Sequence, residues 1–219
     1  MRRRTCIVGL TGSIAMGKSE TAKTFKRLGV PVFDADSAVH RMLGKGGEAV
    51  EAVSLSFPGV VDDGAIDRRK LGDGVFSDGK ELKKLELILH PLVGKERKRF
   101  LRSAGVSRAR VVIMDVPLLF ETGGMGGYDA VVVVSAPHFV QRSRALSRPG
   151  MSAGRFDSIL QKQIPDRLKR RRADFIIFSG IGKRNALVSI RNILAVLRLG
   201  LGQRKNLSRT GRRRARSRT

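Results

Sequence analysis

Residues 12–19 read GSIAMGKS, the spacing GxxxxGK closed by a hydroxyl residue. The chemistry that asks for this pattern is phosphate binding. Gly12 and Gly17 let the backbone N–H groups of a cradle that also holds Ser13, Ala15 and Met16 turn inward onto phosphate oxygens. Lys18 reaches the outer phosphates, and the Ser19 hydroxyl can hold Mg²⁺. An apolar stretch, Thr5 to Thr11, runs directly into the loop, and Lys18 to Leu28 follows it without proline or internal glycine. A strand before and a helix after are the context the pattern requires.

A phosphate loop alone does not separate kinases from GTPases or from motor and transport ATPases. Asp34-Ala35-Asp36 stands at the end of the next apolar run. The carboxyl end of a parallel strand opens into the ligand crevice, where a carboxylate can take the proton of an attacking hydroxyl. Capping of a helix that begins near Ser37 is the competing job for either Asp. Asp115, ending Val-Val-Ile-Met, has the position of an acid that supports Mg²⁺, or else binds backbone amides around Pro117. Behind it Pro117 to Glu121 offers an apolar wall, Leu118 included, with Glu121 free to meet substrate or a basic partner.

Arg142, Arg144, Arg148 and Arg155 cluster between the fourth and fifth apolar runs. A guanidinium brought in there can brace the charge spread over transferring phosphate oxygens, and the place favours Arg148. Solvated surface is the alternative for each of them. His90, before Pro91 and Leu92, reads by itself as a packed or capped helix-end histidine.

The elements that must carry these residues alternate in type. Thr5 to Thr11, Val30 to Asp34, Arg110 to Asp115, Ala130 to Ser135 and Asp174 to Phe178 are nearly continuous apolar runs, as strands covered on both faces are. Helix-compatible segments lie between them, which predicts an α/β fold, a five-stranded parallel sheet flanked by helices. Lys183 to Leu199 closes it as a helix with an apolar stripe of Leu187, Ile190, Leu194 and Leu197. Two stretches fall outside the alternation. About 44–105 reads as a helical insertion, with Pro91 expected to break or restart the helix after Leu82, Leu85 and Leu89. About 147–172, Arg-rich and carrying Pro149, Gly150 and Pro165, reads as a mobile lid.

With 219 residues the chain suits one domain, about 5–200, with inserted pieces. Its apolar runs are far shorter than the ~20 residues a membrane-spanning helix needs, so no membrane contact is expected. A single cysteine, Cys6, inside the first strand excludes an internal disulfide and fits a reducing cytoplasm. Forty-four Lys and Arg against nineteen Asp and Glu give a net charge of +25, which suits polyanionic ligands. The last residues, 203–219, are basic without acidic or aromatic residues and are expected to be a disordered tail, either simply solvated or making salt-sensitive, non-specific contact with nucleic acid. Oligomeric state has no signature in the sequence.

Taken together, Gly9-Leu-Thr-Gly12 running into Gly17-Lys-Ser19, Leu28-Gly29 before Val32-Phe-Asp-Ala-Asp36, His90-Pro-Leu92, Asp115-Val-Pro-Leu-Leu-Phe-Glu121 and Ala173-Asp174 resemble the dephospho-CoA kinase family, over about residues 5–200. The resemblance implies a nucleoside monophosphate kinase-like fold, ATP with Mg²⁺, and transfer of the γ-phosphate to the ribose 3′-hydroxyl of dephospho-CoA. It assigns Ala15 to Glu20 to ATP, the base to Asp36 and the lid arginine to Arg148, and it puts His90 in the substrate-binding insertion. Asp34, Leu118 and Glu121 are the further substrate candidates. The chain departs from the family where Gly-Gly-Ile-Gly-Ser-Gly-Lys-Ser is usual, through Ser13, Ala15 and Met16, and again at Glu20 and Ser179. Rival readings are another small-molecule or nucleotide kinase on the same fold, and a nucleic-acid-binding protein with a degenerate ATP site.

Overall fold

The computed structural model describes residues 4–75, 78–122 and 126–200. The basic tail expected at 203–219 lies outside them. In chain order the elements are β1 (Cys6–Thr11), α1 (Lys18–Arg27), β2 (Val32–Asp34), α2 (Ala35–Met42), α3 (Val50–Ser56), β3 (Val61–Asp62), β4 (Ala65–Ile66), α4 (Arg68–Val75), α5 (Gly79–Val106), β5 (Val111–Asp115), β6 (Ala130–Ser135), α6 (His138–Leu146), α7 (Ala153–Gln161), α8 (Asp166–Arg172), β7 (Phe175–Phe178) and α9 (Lys183–Arg198). They divide into two compact units, one of residues up to Phe33 and from Ala104 on, the other Asp34–Ser103.

The first unit is built on a five-stranded parallel sheet of order β2-β5-β1-β6-β7. The continuous apolar runs form its strands because both faces are covered. Ala130, Val132 and Val134 of β6 join a cluster with Phe25 of α1 and Ile190, Leu194 and Leu197 of α9. Val131 and Val133, pointing the other way, pack with Leu119, Phe120 and Ile164. Each fully buried Val or Leu contributes about 1.5–3 kcal/mol, so the central strands anchor the unit. Register then aligns the strand ends: Leu10 of β1 lies beside Asp115 of β5, and Thr11 beside Val133 of β6. The loop after β1 and the carboxylate ending β5 therefore lie at the same, carboxyl-terminal end of the strands.

The second unit contains α2, α3, a small hairpin and α4, and most of α5. The hairpin pairs β3 with β4 through Asp63 and Gly64, at φ 43° and 74°. Positive φ at both central residues is the hairpin geometry that Asp-Gly favours. The sequence reading missed this hairpin, although Asp63-Gly64 was its signal. Pro91 differs from expectation too: α5 runs unbroken through it for 28 residues. Proline takes away one N–H and crowds the carbonyl four residues back, here Leu87. Leu87, His90 and Pro91 are all exposed, so water can serve the carbonyl that is released.

Candidate active site

The turn from β1 into α1 has the phosphate-loop shape, and its glycines are needed for local reasons. A Cβ on Gly12 would stand 2.7 Å from the Val134 carbonyl oxygen of the neighbouring strand. Gly17, which caps α1, has φ 91° and would carry a Cβ 3.0 Å from Ser179 Oγ. Ala15, one of the family departures, takes φ 59° without being glycine. That left-handed backbone costs a residue with a Cβ about 1–2 kcal/mol. Its methyl is compensated by burial against Phe156 and Ala145. The two effects nearly cancel, so Ala15→Gly is expected to shift the thermal midpoint by no more than ~2 °C, read by calorimetric melting. A loss of ~6 °C or more would mean that the strain argument is wrong.

Lys18, the first residue of α1, is hydrogen-bonded to Asp115 Oδ1 at the end of β5. The pair is largely out of water, with side chains 17% and 5% exposed. A phosphate-seeking cation and the candidate metal carboxylate thus stand within one bond of each other, at the positive end of a helix. Ser19, the next residue of α1, is exposed. Among the described residues no cluster of His, Cys, Asp and Glu could hold a metal by itself. One hydroxyl and one carboxylate fit Mg²⁺, which keeps several waters and completes its shell with substrate phosphates. Glu20, the other departure in α1, is paired with Lys23 at 2.9 Å; that hydrogen bond and the charge beside it hold its carboxyl below the usual range.

The two acids of Asp34-Ala-Asp36 have separate environments. Asp34 caps α2, its Oδ1 accepting from the Ser37 N–H at 3.0 Å and its Oδ2 from Ser37 Oγ at 2.8 Å. Asp36 lies in the first turn, exposed, its carboxylate with neither hydrogen bond nor ion pair to the described residues. Asp34 thus does the capping, while the carboxylate of Asp36 is left exposed. His90 is exposed on α5, and Leu118 is half-exposed after β5.

Glu121 turns out to serve the fold. Its Oε1 lies 2.7 Å from Nζ of Lys169, a wholly buried lysine on α8, and accepts from the Ile164 N–H at 3.0 Å. Burial alone would raise its carboxyl, but Lys169 and the backbone N–H groups outweigh it and hold it below its ordinary value. Of the two kinds of partner expected for it, the structure shows the basic one, on its own chain. The stretch read as a lid folds into α7 and α8. Arg148 is exposed just past α6, its N–H given to the Ala145 carbonyl at 3.1 Å. Arg144, in contrast, is engaged: it donates to Ser179 Oγ at 2.9 Å and to the Ser179 carbonyl at 3.0 Å. Ser179 in turn donates to the Met16 carbonyl at 2.6 Å. Two family departures, Met16 and Ser179, are therefore direct neighbours, a pairing that sequence order 163 residues apart concealed.

Residues 6–181 match the family described as dephospho-CoA kinase. The chain is 50% identical over 198 residues to a dephospho-CoA kinase of Mesorhizobium japonicum, covering 90% of this chain and 98% of that one. With a dephospho-CoA kinase of Rhodospirillum rubrum it shares 49% identity over 208 residues, 94% of this chain and 98% of the other. Among solved structures, a protein of Thermus thermophilus superposes with a TM-score of 0.76 at 32% identity, over 88% of this chain and 97% of that chain. The dephospho-CoA kinase from Campylobacter jejuni, with a TM-score of 0.60 at 23% identity over 88% and 97%, shares the fold.

Proposed function

The chain belongs to the dephospho-CoA kinase family and transfers the γ-phosphate of ATP to the ribose 3′-hydroxyl of dephospho-CoA, and we propose how its residues divide that work. The kinship along nearly the whole chain carries the choice of acceptor. For the chemistry, Asp36 takes the proton of the 3′-hydroxyl as its oxygen bonds to the γ-phosphorus and the bond to the β–γ bridging oxygen breaks, leaving ADP. The support for Asp36 over Asp34 is that Asp34 spends both oxygens on Ser37.

Loop amides of residues 12–19 other than that of Ile14, together with the Lys18 ammonium, hold the β- and γ-phosphates, and their charge is worth most as negative charge shifts toward the leaving oxygen. Arg148 is the guanidinium we assign to the equatorial oxygens of the transferring group, because it stands exposed between α6 and α7. Ser19 and Asp115 would hold Mg²⁺, which supplies charge neutralisation and alignment of the phosphate oxygens. We place the reaction in the cytoplasm, in keeping with one buried free cysteine. Among the described residues no helix is long and apolar enough to cross a membrane.

An acceptor panel tests the assignment. With ATP and Mg²⁺, ADP release is expected with dephospho-CoA and to be at least ~100-fold slower with nucleoside monophosphates or shikimate, since a site built to hydrogen-bond its substrate rejects analogues that leave those groups unpaired. Turnover of another acceptor without turnover of dephospho-CoA would overturn it.

A further inference from the structure

The connection between α7 and α8 reaches back to the phosphate loop through side chains that the GxxxxGKS pattern does not include. Gln163 accepts at Oε1 from the Ile14 N–H at 3.0 Å. From α6, Gln141 Nε2 donates to the Ile14 carbonyl at 2.9 Å. Two glutamines thus hold both polar groups of the residue immediately before Ala15, whose φ of 59° is the loop's unusual conformation. A left-handed non-glycine residue persists only where its surroundings over-determine it, and these two bonds do so. The Ile14 N–H faces Gln163, so it positions the loop without itself binding phosphate.

Gln163 has its own anchor. Its neighbour Ile164 gives its N–H to Glu121 at 3.0 Å and packs its side chain with Leu119, Phe120, Val131 and Val133. The Glu121 oxygen that accepts is also 2.7 Å from the Lys169 ammonium, which is 0% exposed. Removing one member of so buried a pair would strand the other, so each holds its partner in place.

We propose that Gln163 is a positioning residue for ATP: held in place by the Glu121–Lys169 pair, it sets the Ile14–Ala15 peptide in the shape that receives the phosphates. This rests on the reading that residues 12–19 hold ATP, and it extends that reading to residues about 150 positions away in sequence, Ile14 to Gln163 being separated by 149.

Gln141 and Gln163 line a cavity of about 560 Å³ beside Ser13 and Met16. Water can therefore enter where the Gln163 side chain is removed, and Gln163→Ala reports the lost bond more than lost packing. ATP binding is measured by calorimetry without acceptor, alongside steady-state kinetics with both substrates. Gln163→Ala is expected to raise the ATP Kd and KM about five- to ten-fold, as loss of one neutral hydrogen bond does, with kcat, the KM for dephospho-CoA and the thermal midpoint close to wild type. Lys169→Met should weaken ATP binding as well by leaving Glu121 without its cation. Adding Glu121→Gln, which keeps the acceptor for Ile164, should bring the ATP Kd back within two-fold of wild type. An ATP Kd within two-fold of wild type in Gln163→Ala would overturn the proposal, as would equal losses for both substrates. If the wild-type chain bound ATP and showed this pattern yet left dephospho-CoA unphosphorylated, the positioning role would stand and the acceptor assignment would fall.

Discussion

Asp36→Asn is expected to lower turnover about a thousand-fold while ATP affinity stays within two- to three-fold of wild type. A general base positioned on the attacking hydroxyl contributes about 10²–10⁴ in rate, and asparagine keeps the shape while losing the ability to take a proton. The environment makes this variant informative. Asp36 is exposed and its carboxylate makes no hydrogen bond or ion pair to the described residues, so the change removes no structural contact. Its neighbour Asp34, by accepting from Ser37 at 3.0 Å and 2.8 Å, keeps α2 formed without help from Asp36. Asn at position 34 can still cap, so Asp34→Asn should leave stability nearly intact and cost far less in turnover. Steady-state kinetics with calorimetric ATP binding separates the two acids. Near-normal turnover in Asp36→Asn would remove the base assignment.

Lys18→Ala has a comparable effect on activity and a second, separable one on folding. On the proposed assignment its ammonium meets the outer phosphates, and loss of one such preorganised contact lowers turnover by about 10²–10³. The same ammonium is hydrogen-bonded to Asp115, whose residue is 4% exposed. Removing the cation of a buried pair costs about 3 kcal/mol in stability. Lys18→Met with Asp115→Asn should therefore recover most of the thermal midpoint without recovering turnover. If the double variant regained activity together with stability, Lys18 would be a structural residue only.

The sheet was legible because its strands are continuous runs of Val, Ile, Leu and Phe that only a two-sided core accommodates. Observed Cys6–Thr11, Val111–Asp115 and Phe175–Phe178 fall inside the expected strands, and Ala130–Ser135 coincides with its own. The loop was legible because each of its residue types has one chemical reason to be there. What escaped was long-range or two-sided. Glu121 looked like a lone acid in an apolar wall, and its partner Lys169 looked like one basic residue among many in an Arg-rich run. Burial alone distinguishes that lysine from its neighbours, and burial comes from the packing of α8 on β6. Gln141 and Gln163 carried no signal at all, since a glutamine that braces a backbone resembles a glutamine in water. Pro91 misled for the opposite reason: its local rule is strong, and an exposed face of α5 relaxed it.

The measurement that bears most directly on the function is ³¹P NMR of the product formed from ATP, Mg²⁺ and dephospho-CoA. The predicted result is ADP with one new phosphomonoester, coupled to the ribose 3′-proton and formed in a one-to-one ratio with ADP. ADP accompanied only by inorganic phosphate, or a monoester at another position, would contradict it.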